Sequence, residues 1–349
     1  MNGMQNLLSV NALTKYFPLP KRSIFQKDRP YLRAVDGVSL NIQRGETFGL
    51  VGESGCGKST LGRTILQLYK PTSGEILYYG RAEKEGAGTS LTKLSPREMR
   101  PLRRDLQIVF QDPYSSLNPR MTVGQLIEEG VATHALYRRG SRQMQEYIAE
   151  IMQNCGLQAH MLQRYPHQFS GGQRQRICIA RALALKPKFI VCDECVSALD
   201  VSVQSQILNL LSDLKEKQGL TYLFISHDLS VVRHISDRIA VMYLGKIVET
   251  GSAKAVFDEP RHPYTVALIS AIPSASKKAK RQTILLSGSM SQPTEKSEGC
   301  PFVPRCFMAQ EICKSGEVPN IQVGEGHYTA CHFAHKTAEE KRALAQKCR

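Results

Sequence analysis

The chain has 349 residues and a formal net charge of +15; 42% are hydrophobic, 22% charged, 7% aromatic and none is tryptophan. That length accommodates one large domain with a sizeable core and a smaller second one, and no apolar run reaches the roughly 18 residues of a membrane-spanning helix. The positive excess suits nucleic acid or an anionic membrane, yet the basic residues are scattered and aromatics few, which argues against a base-stacking surface.

The N-terminal stretch MNGMQNLLSVNALTKYF lacks the basic start, apolar stretch and small-residue cleavage site of a secretory signal. The chain is therefore expected in the cytosol, where its ten cysteines stay reduced and metal or cluster ligation gains weight over a disulfide framework. Residues 38–51 read as two strands around a turn at Arg44-Gly45, and 74–79 and 106–110 as further strands. Helical spacing marks 141–155, 173–186 and 204–218, while KFIVC (188–192) and TYLFIS (221–226) are short apolar runs suited to strands buried on both faces. Residues 238–251 read as a hairpin turning at Gly245. Strands alternating with helices predict an α/β domain with a largely parallel sheet. Composition shifts at 258–265, PSASKKAKRQ (273–282) reads as a linker, and the domain boundary is placed near 260.

The segment GESGCGKST comprises Gly52, Glu53, Ser54, Gly55, Cys56, Gly57, Lys58, Ser59 and Thr60, follows the apolar TFGLV and opens a helical segment. In that context the pattern is a phosphate loop. Backbone N–H groups and the helix N-terminus cradle the phosphates, Lys58 supplies a point charge to the β- and γ-oxygens, and the Ser59 hydroxyl ligates Mg²⁺. Four further elements narrow the task. Asp193 and Glu194 end an apolar strand, the first placed to hold Mg²⁺ and the second to polarise an attacking water. Ser170, Gly171, Gly172 and Gln173 open a helix and form a second anion site. Gln111 follows a strand, where its amide suits both Mg²⁺ and the water, and His227 follows another, where an imidazole suits the γ-phosphate. Alone, each has a plain structural reading, such as a loop serine-glycine pair or a capping histidine; five in this order do not.

This set resembles the ATP-binding subunit of an ABC transporter, with SALD at 197–200 as the D-loop. FQDPYSSLNPR (110–120), VSALDVSVQ (196–204) and RHPYT (261–265) are similar to the oligopeptide/dipeptide importer ATPases, especially the F type of their paired subunits. The resemblance implies a P-loop NTPase core with antiparallel β and helical subdomains and a small Cys-rich extension. Its expected divisions are 1–260, with the helical subdomain at about 112–175, and 261–349. It implies ATP and Mg²⁺ as cofactors, hydrolysis coupled to uptake of di- or oligopeptides, and Phe17, beside Tyr16, as the aromatic that stacks on adenine. It implies a second ATPase subunit as partner, a heterodimer before a homodimer, so that residues 170–173 serve the mate's nucleotide. Two membrane permease subunits, an extracytoplasmic solute-binding protein and a peripheral place on the cytoplasmic face of the inner membrane complete the expectation. The apolar residues Leu117, Met121, Val123 and Leu126 read as core or as permease interface. The alternative, a nucleic-acid ATPase, is disfavoured because no sustained heptads separate Lys58 from Ser170. One departure stands out: Cys195 follows Glu194 where the family usually has proline, which loosens the turn but removes no catalytic group.

The spacing Cys300-x5-Cys306-x6-Cys313-x17-Cys331 lacks the C-x-x-C knuckles of structural zinc, so zinc, an iron–sulfur cluster and plain thiols all stay open. The resemblance favours a 4Fe–4S cluster, with zinc as the alternative. Cys56 lies within the phosphate loop, where the resemblance implies that it is tolerated; Cys178 and Cys192 fit buried apolar positions, Cys155 a helix and Cys348 a free tail.

Overall fold

The computed structural model describes residues 5–20, 29–81, 88–272, 283–286, 288 and 298–347. The linker expected at 273–282 and Cys348 lie outside them. Twelve strands run along the described residues: β1 (Asn6–Pro18), β2 (Tyr31–Gln43), β3 (Thr47–Val51), β4 (Ser73–Tyr78), β5 (Thr89–Ser90) and β6 (Leu106–Val109) in the first third. They continue as β7 (Phe189–Asp193), β8 (Thr221–Ser226), β9 (Arg238–Tyr243), β10 (Lys246–Ser252), β11 (Asn320–Gly324) and β12 (His327–Ala330). The chain divides into two compact units, one of residues 1–8, 42–46 and 78–225, the other of 9–41, 47–77 and 226–349.

In the first unit β6, β7 and β8 pair in parallel, with Val191 opposite both Ile108 and Leu223. Every residue of β7 and β8 is buried, as their unbroken apolar runs require. Around them lie helices Val123–Thr133, Arg142–Asn154, Gly171–Leu183 and Val201–Gln218. Thr122 and Ser141 cap the first two, each accepting an N–H of the first turn. Their apolar stripes, among them Val123, Ile127 and Val131 on one and Ile148, Ile151 and Met152 on the other, are buried. Tyr147, also buried, donates its hydroxyl to the Ala184 carbonyl at 2.9 Å. Leu117, Val123 and Leu126 are core of this chain at 2% exposure or less, while Met121 is half-buried.

In the second unit β3 runs parallel to β9, and β9, β10, β12 and β11 follow as an antiparallel series. The hairpin β9–β10 turns on Leu244 and Gly245, both left-handed at φ +44° and +81°, the backbone of a tight two-residue turn. β12 places residues of the C-terminal extension directly on β10, Thr329 opposite Glu249. Glu249, 1% exposed, fastens this join: its carboxylate meets His327 Nε2 at 2.8 Å and accepts the Arg261 and His262 N–H groups at 2.7 and 2.8 Å. The helices Ala253–Asp258 and Pro263–Ser270 stand where the sequence shows only a composition shift. Pro263 is the first residue of its helix and His262 caps it, so the proline that looks like a break is a start.

Candidate functional site

The phosphate loop leaves β3 and enters the helix Lys58–Ile65. Gly52, Gly55 and Gly57 have φ of +155°, +83° and +110°. A Cβ on Gly57 would lie 2.0 Å from the Ala34 carbonyl oxygen, and one on Gly52 2.2 Å from that of Met242, so side chains are excluded at both. Lys58, 3% exposed, donates its ammonium to the Gly52 and Glu53 carbonyls at 2.8 and 3.0 Å, filling the bend of its own loop. Cys56 is buried beside it, and that burial pushes its thiol up against the pull of the Lys58 charge. Ser59 and Thr60 occupy the first turn of the helix. The Tyr16 hydroxyl donates to Asp36, and burial with that carboxylate raises it to about 12, while Arg33 lies over its ring at 4.7 Å. Phe17 meets Tyr69 edge to face at 5.5 Å, with the Lys15 ammonium 4.8 Å above its ring. His227 is exposed after β8 and belongs to this same unit.

The other predicted residues lie in the first unit. Asp193 and Glu194 close β7 at 1% and 8% exposure. Glu194 is left-handed at φ +49°, and its N–H donates to the Ile225 carbonyl at 3.0 Å. Gln111 reaches it, donating Nε2 to Glu194 Oε2 at 3.0 Å. The turn after Glu194 is held by Ser197, which donates its hydroxyl and its N–H to the Glu194 carbonyl at 2.9 and 3.1 Å. Cys195 is fully buried with its thiol against that of Cys192. The turn that lacks proline is thus fastened by other bonds. Ser170 caps helix Gly171–Leu183: its hydroxyl accepts the Gln173 N–H at 3.3 Å and the Gln173 side chain accepts the Ser170 N–H at 3.1 Å. Gly172 lies so close to the helix after the D-loop that a Cβ would come 2.4 Å from Val203 Cγ1.

Cys300, Cys306, Cys313 and Cys331 line one cavity of about 20 Å³ together with His262, Phe302, Met308 and His332. Cys306 and Cys331 sulfurs accept the N–H of Met308 and Phe333, each at 3.4 Å. Burial raises the Cys300 and Cys306 thiols to about 11 and about 12. The donor set suits a thiolate-bound group, and N–H donors to sulfur are the bonds such ligands receive. Among the described residues, however, no three His, Cys, Asp or Glu side chains stand together at metal-holding separation. The expected cluster or zinc site is therefore not closed by the side chains as they stand. Sequence reasoning missed Arg305, whose guanidinium grips the Glu53 carboxylate at 2.7 and 3.0 Å, because nothing local signals a pair 252 residues apart.

No helix of the described residues is long and apolar enough to cross a membrane. The pattern of the family described as "ABC transporter" matches residues 35–197, and that of "Oligopeptide/dipeptide transporter, C-terminal region" matches 248–313. The oligopeptide transport ATP-binding protein AppF of Bacillus subtilis is 48% identical over 95% of this chain and 98% of its own length. The dipeptide transport ATP-binding protein DppF of Haemophilus influenzae is 46% identical over 93% of this chain and 96% of its own. Among solved structures, the post-hydrolysis dimer of the ATP-binding cassette MJ0796 bound to ADP and Pi matches at a TM-score of 0.60 and 29% identity, covering 70% of this chain and 98% of that one. Nothing in these likenesses favours the nucleic-acid alternative. The chain belongs to the ABC transporter family as an ATP-hydrolysing, ATP-binding subunit, in its oligopeptide/dipeptide branch.

Proposed function

We propose that the chain powers uptake of di- or oligopeptides through two separate permease subunits, fed by an extracytoplasmic solute-binding protein. It works from the cytoplasmic face of the inner membrane, paired with a second, similar ATPase subunit. The cargo class is supported by the relatives named for oligopeptide and dipeptide transport. The hydrolytic reading is carried by one observation: Glu194, at the end of a buried strand, accepts the Gln111 amide at 3.0 Å.

Bound ATP with Mg²⁺ supplies the phosphoanhydride to be cleaved; the rest is the work of side chains. The backbone N–H groups of 54–60 and Lys58 would hold its phosphates, and Ser59, Gln111 and Asp193 would hold the metal. Glu194 polarises the attacking water, and His227 contacts the γ-phosphate. Phe17 stacks on adenine; Tyr16 is less suited because its hydroxyl is committed to Asp36. Ser170, Gly171, Gly172 and Gln173 serve the partner's nucleotide. Residues 1–260 form the ATPase portion, with its helical part at about 112–175, and 261–349 the extension.

The four cysteines of the extension would hold a 4Fe–4S cluster, a reading supported by the N–H donors to two of their sulfurs. The size of their shared cavity, about 20 Å³, favours the second reading, a single zinc ion. Proteoliposomes carrying the permease, the binding protein and both ATPase subunits test the transport function. ATP-driven peptide accumulation that stops in Glu194→Gln is expected, and accumulation unchanged in that variant would refute it. Iron matched by acid-labile sulfide in anoxically purified protein supports the cluster; zinc without sulfide supports the single ion.

A further inference from the structure

Glu53, the second residue of the phosphate loop, has each of its polar groups engaged. Its carbonyl accepts the Lys58 ammonium at 3.0 Å and the Cys56 N–H at 3.3 Å. Its own N–H donates to the Tyr264 hydroxyl at 2.9 Å. Its carboxylate receives both arms of the Arg305 guanidinium, at 2.7 and 3.0 Å. Two of these four partners, Tyr264 and Arg305, come from the C-terminal part of the chain, and Arg305 lies between Cys300 and Cys306.

The surroundings make this a rigid anchor. The Arg305 side chain is 9% exposed and that of Glu53 28%. Behind Arg305, Tyr243, Tyr264 and Phe302 form an aromatic cluster with ring centroids 4.8, 5.2 and 5.4 Å apart, each of the three rings at 2% exposure or less. A forked guanidinium–carboxylate contact fixes angle as well as distance. Packed rings do not follow a moving loop, because a dense interior transmits displacement rather than absorbing it.

We propose that Arg305, supported by Tyr264, is a positioning residue for the phosphate loop: the extension holds Glu53, and through it the Lys58 ammonium, in the register that receives ATP. The proposal rests on the reading of residues 52–60 as the ATP site. It makes Tyr264 and Arg305 part of the support of the nucleotide site rather than of an appendage to it. Arg305 itself touches no phosphate; it pre-orders the residue whose carbonyl holds the lysine, so its loss costs affinity through a looser loop.

The test is the MgATP dissociation constant of the purified full-length chain, measured by equilibrium dialysis, with the thermal midpoint recorded beside it. Arg305→Met and Glu53→Gln are each expected to weaken MgATP binding about fivefold or more, a size set by coupling within one ion-pair network. The double variant should bind no worse than the weaker single one. Arg305→Lys, which keeps the charge without the fork, should fall between. A lowered midpoint with affinity within about twofold of the parent would mean that the pair only fastens the extension, and would overturn the proposal. Should Arg305→Met fail to fold, Arg305→Lys and Tyr264→Phe carry the same comparison. A parent chain that binds no MgATP would overturn both this proposal and the reading of the loop.

Discussion

The Gln111 amide donates to the Glu194 carboxylate at 3.0 Å, bringing together two residues 83 positions apart in the sequence. The contact fixes one carboxylate oxygen of the proposed base, and it ties the end of β6 to the end of β7. Glu194→Gln keeps the shape and removes the base. Phosphate release is expected to fall about a hundredfold or more with MgATP affinity retained, and the ATP-bound pair of subunits should accumulate on size-exclusion chromatography. Turnover at the parent rate would exclude Glu194 from that role.

Gly57 tests the loop itself. Gly57→Ala forces a side chain into a backbone at φ +110°, 2.0 Å from the Ala34 carbonyl oxygen. The left-handed conformation alone costs an L-residue about 1–2 kcal/mol, and the clash adds to it. MgATP binding by equilibrium dialysis should be abolished, as in Lys58→Ala. Retained binding in the alanine variant would show that the loop tolerates a shape other than this one.

A second glycine makes a separable prediction. At Gly172 the obstacle is one side-chain atom, Val203 Cγ1, 2.4 Å from a built Cβ. Gly172→Ala should therefore lower ATPase activity and thermal midpoint, and Gly172→Ala with Val203→Ala should recover much of both. Absence of any rescue would place the need for glycine in the backbone or in the partner's nucleotide rather than in this contact.

His262 sets a pH dependence. It is fully buried, and burial, with Lys341 adding to it, lowers its pKa from 6.5 to about 3, so the folded protein keeps it neutral. The unfolded chain takes up a proton near pH 6.5 that the folded one refuses. Its contribution to stability is thus complete above that pH and is lost as pH falls from 6.5 toward 3. The limiting slope is about 1.4 kcal/mol per pH unit. His262→Asn retains a cap for the Tyr264 N–H, which Nδ1 now accepts at 3.1 Å, while removing the titration. Denaturant unfolding across the acid range should show a shallower loss in the variant; parallel curves would assign the acid sensitivity elsewhere.

Much of this was legible in the sequence. β7 and β8 announce themselves because strands covered on both faces have no polar alternation to keep, and the glycines of the phosphate loop mark a backbone that residues with a Cβ rarely adopt. The Gly245 turn was readable for the same reason. The contacts that fix the site were not. Gln111 with Glu194, Arg305 with Glu53 and His327 with Glu249 are pairs between distant segments, and periodicity carries no information about which carboxylate a given side chain will meet. The helix Pro263–Ser270 was missed for a local reason: its opening proline and capping histidine read as punctuation until the apolar turn behind them is seen to be buried.

The pairing of β12 with β10 has a consequence for any shortened form of the chain. β10 already bonds to β9 along one side, so β12 occupies its remaining row of N–H and C=O groups. Cutting the chain after Cys313 would strip that cover and leave a bare, hydrogen-bonding edge, open to any other extended segment. Such a truncation should self-associate more than the intact chain on concentration, as seen by light scattering; equal scattering would show that this edge is not exposed by the cut. The last strands of the extension thus cover β10 and move the open edge of this sheet out to β11, whatever the cysteines beside them bind.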